Sequence, residues 1–164
     1  MNGARVIVMG IAGSGKSTIG RLLAGEIDAL YLEADNYHPP ANIQKMNQGI
    51  PLTDQDRWPW LEALGQRIGA PRAGAVVGTC SALKRSYRDL LRTHCPEVQF
   101  VHLLVDEATA RVRVTRRPGH FMPESLVPSQ LDTLEPLTVT EAGVVVDACQ
   151  PPDRIIAELL AKIA

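Results

Sequence analysis

RVIVMGIAGSGKST, residues 5–18, is the stretch that decides the fold of this chain. Its first five residues are mainly apolar and β-branched, which predicts a strand over residues 5–9. Residues 10–17 then match GxxxxGK[ST] in full, and the residues after them have the apolar spacing of a helix. In that order, the glycines let successive backbone N–H groups turn towards phosphate oxygens, and the helix start adds its positive dipole end. The stretch therefore predicts a binding site for a nucleoside triphosphate.

The residues of this loop have separate predicted roles. Lys16 reaches the β and γ phosphates and acts as a catalytic cation, and the hydroxyl of Ser17 ligates Mg²⁺. The other loop residues predicted to bind the nucleotide are Gly10, Ala12, Gly13, Ser14, Gly15 and Thr18. The alternative is a glycine-rich turn with a solvated lysine, which the order of strand, loop and helix disfavours. ATP and Mg²⁺ are thus the expected cofactors.

The composition is that of one globular domain, because 45% of the 164 residues are hydrophobic and 21% are charged. With 17 basic and 18 acidic side chains, the chain has no overall positive field of the kind that nucleic acid or an anionic membrane selects. No apolar run is long enough to span a bilayer, and no secretory leader precedes the first strand. The three cysteines lack the spacing of a zinc site or a disulfide framework. We expect a single cytoplasmic domain over residues 1–164, with no nucleic-acid or membrane partner.

Short apolar runs alternate with longer helical patterns along the chain. The five runs that predict strands are residues 5–9, 29–34, 74–80, 98–105 and 143–147. Runs such as VIVM and VVV are apolar at nearly every position, which is typical of strands buried on both faces of a parallel sheet. The alternation predicts an α/β fold, with a five-stranded parallel sheet and helices on both faces.

Two segments fit this alternation poorly because they are rich in polar residues, proline and glycine. They are residues 36–64 and residues 111–136. Long irregular insertions in a compact α/β domain are usually lids or binding loops. We expect the first segment to bind substrate and the second to form a mobile lid.

Acidic residues follow the second predicted strand in LEADNYHP, where open α/β sheets place their ligands. Glu33 and Asp35 are two positions apart and so face the same side of an extended chain. Asp35 is predicted to be the base that meets the acceptor hydroxyl, and Glu33 is predicted to lie near the metal. The alternative is a pair of surface acids that ends a strand.

Three basic groups could bind anions near this edge of the sheet. Arg57 precedes WPW and could bind a carboxylate bidentately, or it could simply pack on an indole ring. Lys84 and Arg88 are one helical turn apart, an arrangement that also suits a solvated helix face. Arg113 and Arg117 share a face of a helix that ends before a Pro-Gly pair, which predicts a basic lid or an ion-pair network.

Several longer segments together resemble one family. They are GIAGSGKST, EADNYHPPANIQKMNQGIPLTDQDRWPWL, CSALKRSYRDLLR, RPGHFMPESLVPSQLDTLEP and VVVDACQPP. The chain resembles the gluconokinases of the short phosphate-loop type, which are relatives of the shikimate and adenylate kinases, and the resemblance covers nearly its whole length. It implies a P-loop NTPase fold with the strand order 2-3-1-4-5, a homodimer, and ATP-dependent phosphorylation of D-gluconate to 6-phospho-D-gluconate.

The resemblance also implies roles for individual residues. The residues expected to surround the sugar acid are Asp35, His38, Arg57, Lys84, Arg88 and His120. Arg113 and Arg117 are expected to contact adenine and phosphates from the lid, with Arg117 catalytic, and Gln150 and Pro151 are expected to border the adenine. One departure is that the family commonly reads DGD where this chain has Glu33-Ala34-Asp35.

Other activities are weaker interpretations of the same residues. No NKxD-type guanine reader is present, and the third strand ends in Thr79-Cys80-Ser81 rather than in the acids of a mechanical ATPase. Two alternatives stay open: another small-molecule kinase of the same fold, similar to shikimate kinase, and a nucleotide-binding regulator without enzymatic activity.

Overall fold

The computed structural model describes residues 3–117 and 124–163 of the chain. Its strands are β1 (Arg5–Met9), β2 (Leu30–Glu33), β3 (Val76–Thr79), β4 (Gln99–Leu104) and β5 (Gly143–Asp147). Its α-helices are α1 (Lys16–Glu26), α2 (Pro40–Asn47), α3 (Asp54–Gly69), α4 (Arg85–His94), α5 (Glu107–Thr115), α6 (Val127–Thr133) and α7 (Pro152–Lys162). Two short 3₁₀ helices cover Ala34–Tyr37 and Glu124–Leu126.

The five strands form one parallel sheet in the order β2-β3-β1-β4-β5, which confirms the predicted fold class and strand order. The central strand β1 has Val8 opposite Thr79 of β3 and opposite Val101 of β4. Val6, Ile7, Val8 and Met9 are all 0% exposed. Because successive side chains of a strand point to opposite faces, this burial means that both faces of the sheet centre are covered.

Segment 36–64 is more regular than the sequence led us to expect. It contains α2 and the first part of α3, and α3 continues to Gly69. A capping box starts α3, in which the Asp56 backbone N–H donates to the Thr53 hydroxyl and the Asp56 carboxylate accepts from the Thr53 N–H. The proline at position 59 lies inside α3. Proline removes a helical hydrogen bond, yet α3 continues through this position to Gly69.

The second predicted insertion, residues 111–136, is only partly described. The end of α5, the 3₁₀ helix Glu124–Leu126 and α6 belong to it. The Pro-Gly pair, His120 and Phe121, on which part of the lid prediction rests, lie outside the described residues. No helix in residues 3–117 or 124–163 is both long and apolar enough to cross a membrane.

A buried ion pair joins α4 to the segment before β5. The side chains of Arg88 and Glu141 are both 0% exposed, and their hydrogen bonds measure 2.7 Å from Nε and 3.0 Å from Nη2. Arg92 also hydrogen-bonds to Glu141. Burial by itself would raise the pKa of Glu141, but the hydrogen bonds from Arg88 and Arg92 lower it to about 2. Glu141 is therefore ionised and paired at neutral pH.

Removing the arginine should destabilise the fold strongly. Arg88→Met leaves the Glu141 carboxylate buried with only part of its compensation, so we expect the free energy of unfolding to fall by about 3–5 kcal/mol. Urea denaturation followed by circular dichroism measures this change. Adding Glu141→Leu to Arg88→Met should restore most of the lost stability, because both buried charges are then absent.

Arg85→Met is the matched control, since Arg85 lies on the same helix with 46% of its side chain exposed. We expect this control to change the free energy of unfolding by less than about 1 kcal/mol. Equal effects of the two single substitutions would contradict a structural role of the buried pair.

Candidate active site

The glycine-rich loop between β1 and α1 has a backbone that only glycine fits at two positions. Gly13 has a φ of 80°, and a Cβ added there would lie 2.3 Å from the backbone oxygen of Ala110. Gly15 has a φ of 93° and caps the start of α1. Side chains are disfavoured in this left-handed region, and the Gly13 site has no space for one. The loop is therefore held close to α5 with its backbone turned around the start of α1.

Lys16 begins α1, and its Nζ donates to the backbone oxygen of Ile11 at 3.0 Å. Burial lowers the pKa of Lys16, whereas the carboxylates of Asp35 and Glu33 act in the opposite direction. The ammonium group thus lies across the loop that precedes its helix, and two carboxylates are near enough to raise its pKa.

An open cavity of about 840 Å³ lies at this edge of the sheet. The residues with predicted roles that line it are Ala12, Gly13, Gly15, Lys16, Ser17, Glu33, Asp35, His38, Arg57 and Arg117. They come from the loop, the first turn of α1, the end of β2, the 3₁₀ helix after it and the residue that follows that helix, α3, and the residues just beyond α5. Lys16 and Asp35 therefore line the same cavity, as a direct transfer from a nucleotide to an acceptor requires.

Glu33 lies at the carboxyl end of β2, opposite Thr79 of β3. Its Oε2 accepts hydrogen bonds from Ser17 at 2.7 Å and from Tyr31 at 2.6 Å, and its Oε1 accepts from Thr79 at 2.8 Å. Burial raises the pKa of Glu33, but these hydroxyl groups and Lys16 lower it further than burial raises it. An ionised carboxylate beside a serine hydroxyl is a hard oxygen donor set of the kind that suits Mg²⁺. The residues present therefore fit the metal expected from the loop.

His38 lines the cavity and is fixed by two neighbours, Trp60 and Asn42. The part of the cavity that contains His38 and Arg57 is called the acceptor side below. Its ring stacks on Trp60, with ring centroids 4.0 Å apart, and Trp60 Nε1 donates to the Ala34 backbone oxygen at 2.7 Å. Asn42 Nδ2 lies 3.2 Å from His38 Nδ1 and donates to the Asp56 backbone oxygen at 2.8 Å. Since an amide nitrogen only donates, Nδ1 accepts and the ring proton lies on Nε2. Burial, with help from Arg57, lowers the pKa of His38 to about 4, so the ring is neutral at pH 7.

Arg57 reaches the cavity from the first turns of α3. Its Nη1 donates to the Leu52 backbone oxygen at 2.6 Å and to the Tyr87 hydroxyl at 3.1 Å. Lys84 Nζ lies 5.6 Å from the centre of the Tyr87 ring and pairs with Asp54 at 3.3 Å. Lys84 does not line the cavity in the described part of the chain. Arg57 is thus the cation that α3 presents to the acceptor side.

The structure corrects the sequence-based expectation for the position of Arg88. The resemblance placed it beside the sugar acid, but the structure buries its guanidinium completely against Glu141, away from the cavity. Its Nη1 also donates to the backbone oxygens of Ala82 at 2.9 Å and Leu83 at 3.3 Å. Because these contacts occupy the guanidinium, its role is structural.

Two of the residues expected around the adenine are held by contacts with the backbone. Arg113 Nη2 donates to the Ala148 backbone oxygen at 2.8 Å, and its Nη1 lies 3.4 Å from the Ser14 backbone oxygen. Gln150 donates to the Asp147 backbone oxygen at 3.1 Å, and Pro151 precedes the first turn of α7. Arg113 therefore lies next to the loop, and none of these three residues lines the cavity. His120 lies outside the described residues.

Sequence reasoning assigned no role to several residues that line the cavity, among them Trp60, Thr79, Ser129 and Gln130. Gln130 Oε1 accepts from the Ala12 N–H at 2.6 Å and so joins α6 to the phosphate loop. The motif SQLDTLE, which contains Ser129 and Gln130, carried part of the resemblance, and its place inside the predicted lid segment was the available signal. Thr79 could have been found from its place at the end of a predicted parallel strand.

Comparison with known proteins identifies the family. The shikimate kinase family matches residues 12–164. The gluconokinase of Gluconobacter oxydans (strain 621H) is 45% identical over 94% of this chain and 88% of its own length. The thermosensitive gluconokinase of Escherichia coli (strain K12) is 44% identical over 88% of this chain and 79% of its own length.

Solved structures give the same assignment. The crystal structure of a gluconokinase from Sinorhizobium meliloti 1021 is 48% identical, covers 96% of this chain and 90% of its own, and has a TM-score of 0.87. The shikimate kinase of Aquifex aeolicus, at 16% identity and a TM-score of 0.61, shares the fold. The chain therefore belongs to the gluconokinase family, within the wider group of shikimate-kinase-like P-loop enzymes.

Proposed function

We propose that this protein is a gluconokinase that transfers the γ-phosphoryl group of ATP to the terminal hydroxyl of D-gluconate. The products are 6-phospho-D-gluconate and ADP. The observation that carries the proposal is that the phosphate loop and Asp35 line one cavity in a chain 45% identical to a gluconokinase over 94% of its length. A direct transfer needs the acceptor oxygen and the γ phosphorus in line within one enclosed space.

The chain's own groups divide the chemistry as follows. The Asp35 carboxylate accepts the proton of the acceptor hydroxyl as its oxygen bonds to the γ phosphorus, and the bond from that phosphorus to the β–γ bridging oxygen breaks. Lys16 and Arg117 place positive charge beside the transferring group. Ser17 would hold Mg²⁺, with Glu33 beside it, and the bound ion would neutralise developing charge on the phosphates. Arg113, Gln150 and Pro151 are proposed to border the adenine.

The acceptor end is proposed to recognise both charge and hydroxyl groups. Arg57 is the cation for the sugar-acid carboxylate, because its guanidinium is held by Leu52 and Tyr87 on the wall of the cavity. His38 is neutral and carries its proton on Nε2, so this nitrogen is proposed to donate a hydrogen bond to a hydroxyl oxygen of the sugar acid. Lys84, which pairs with Asp54, is proposed to attract the sugar acid from a greater distance than Arg57 does. A homodimer and a cytoplasmic location stay predictions from the resemblance and the composition.

An acceptor screen tests the function directly. With MgATP present, D-gluconate should give stoichiometric ADP, measured by coupled oxidation of NADH, and the product should be a sugar acid phosphorylated at its terminal carbon. Shikimate and AMP should give no ADP above the background without acceptor. ADP formation with shikimate but not with gluconate would support the related kinase instead, and ATP turnover with no acceptor dependence would contradict both.

Asp35→Asn should remove the base while keeping the shape of the side chain. We expect kcat to fall by about 10²- to 10⁴-fold, while the affinity for MgATP changes by less than about twofold. Steady-state kinetics and calorimetric nucleotide binding give the two values. Asp28→Asn is the control, since Asp28 is exposed and its φ of 51° also suits asparagine. A near-normal kcat for Asp35→Asn would rule out its role as the base.

Arg57→Ala should affect gluconate far more than nucleotide. Losing a charged hydrogen-bond donor to the carboxylate should raise the gluconate KM by about 10- to 100-fold, with a smaller effect on the KM for MgATP. Arg67→Ala on the same helix is the matched control, because Arg67 is exposed and does not line the cavity. An unchanged gluconate KM in Arg57→Ala would show that the carboxylate is bound elsewhere.

A further inference from the structure

Three hydroxyl groups from three different elements surround the carboxylate of Glu33. Ser17 at the start of α1 lies 2.7 Å away, Tyr31 of β2 lies 2.6 Å away, and Thr79 of β3 lies 2.8 Å away. An ionised carboxylate can only accept, so each hydroxyl donates its proton to Glu33. The carboxylate is thus fixed by the phosphate-loop helix, its own strand and the neighbouring strand at once.

The contact with Ser17 determines how the serine hydroxyl is oriented. Because the Ser17 proton points to Glu33 Oε2, the lone pairs of its oxygen point in other directions, as a hard cation requires of a serine ligand. Glu33 therefore orients the serine that was assigned to the metal. Outer groups of this kind commonly tune the affinity of a metal site.

The length of Glu33 makes this orientation harder to maintain. A glutamate has one more rotatable bond than the aspartate that the family pattern has at this position, so more conformers must be excluded. Tyr31 lies two residues earlier on the same strand and therefore points to the same face. Its hydroxyl binds the same carboxylate oxygen as Ser17 does. Arg21 lies over the Tyr31 ring at 5.2 Å but is largely exposed, so its own contact with Glu33 is weak.

We propose that Tyr31 is a positioning residue, which holds the Glu33 carboxylate on Ser17 and so prepares the metal end of the nucleotide site. The inference rests on the proposed metal role of Ser17 and Glu33. Tyr31 touches neither nucleotide nor acceptor in this assignment and acts only through Glu33. It accounts for a glutamate at a position where the related pattern has the shorter acid.

Tyr31→Phe tests the inference, because it removes one hydroxyl and keeps the ring. Isothermal titration calorimetry measures ADP binding by the free protein in EDTA and across a series of Mg²⁺ concentrations, with no gluconate present. We expect the Mg²⁺ concentration that half-maximally tightens ADP binding to rise by roughly three- to tenfold. Metal-free ADP binding should stay within about twofold of the wild type, since the loop itself is unchanged.

The substitution Glu33→Asp separates positioning from general damage. It withdraws the carboxylate by about 1.5 Å, one carbon–carbon bond, which takes it out of hydrogen-bond range of Tyr31 and of Ser17 and Thr79 as well. In the Glu33→Asp background, Tyr31→Phe should therefore change the Mg²⁺ dependence by less than about twofold, a clear departure from additivity. Tyr37→Phe is the matched control, because no residue in the described ranges hydrogen-bonds to the Tyr37 hydroxyl, and it should match the wild type.

Three results would overturn the inference. The first is an unchanged Mg²⁺ dependence in Tyr31→Phe, and the second is an equal effect of Tyr31→Phe with glutamate and with aspartate at position 33. The third is a wild-type protein in which Mg²⁺ does not tighten the binding of ADP. The assay contains no gluconate, so a failure of the acceptor assignment shows in the acceptor screen and not here. The two proposals can therefore fail separately.

Discussion

The parallel pairing of β2, β3 and β1 is the constraint on which the site depends. Thr79 is opposite Val8 on one side and Glu33 on the other, so three strands end at the same level. Two backbone hydrogen bonds continue this alignment beyond the strands, from Cys80 to Val8 at 3.0 Å and from Gly10 to the Ser81 oxygen at 3.3 Å. The first glycine of the phosphate loop and the end of β3 are thereby fixed to each other. A shift of one residue in this register would turn Glu33 and Thr79 to the opposite face of the sheet.

The charges in the cavity follow from that alignment. Glu33 ends β2 and Asp35 follows two residues later, and both raise the pKa of Lys16 against the effect of its burial. Carboxylates so near a triphosphate would repel it in the absence of cations. Lys16, Arg57 and Arg117 line the same cavity, and the oxygen groups of Ser17 and Glu33 suit a divalent ion. The cavity therefore brings acidic and basic groups together, as the proposed binding of a metal ion and two anionic substrates requires.

Much of this could be predicted from the sequence, because the determining signals are local. The phosphate loop, the five apolar strands and the acids after β2 are each recognised within a few residues. Helices α2 and α3 were not predicted because segment 36–64 is rich in polar residues, proline and glycine, although the capping box at Thr53 favoured a helix start. The ion-pair partner of Arg88 could not be predicted from the sequence, because Glu141 is 53 residues away in the chain. Tyr31 was missed because its role depends on a hydroxyl contact that spacing alone does not reveal.

Arg88 shows how a residue outside the cavity can still determine its wall. The loop from Ser81 to Lys84 must turn sharply after β3, and Ala82 has a φ of 44°, a conformation that costs about 1–3 kcal/mol for a residue with a side chain. The buried guanidinium of Arg88 donates to the Ala82 oxygen, while Glu141 holds its other edge. From the other side, the Glu135 N–H donates to the Leu83 oxygen at 2.7 Å, which joins the end of α6 to the same turn. Arg88 thus does not line the cavity as the resemblance implied, and its charge instead stabilises the strained turn that carries Ser81 into the cavity.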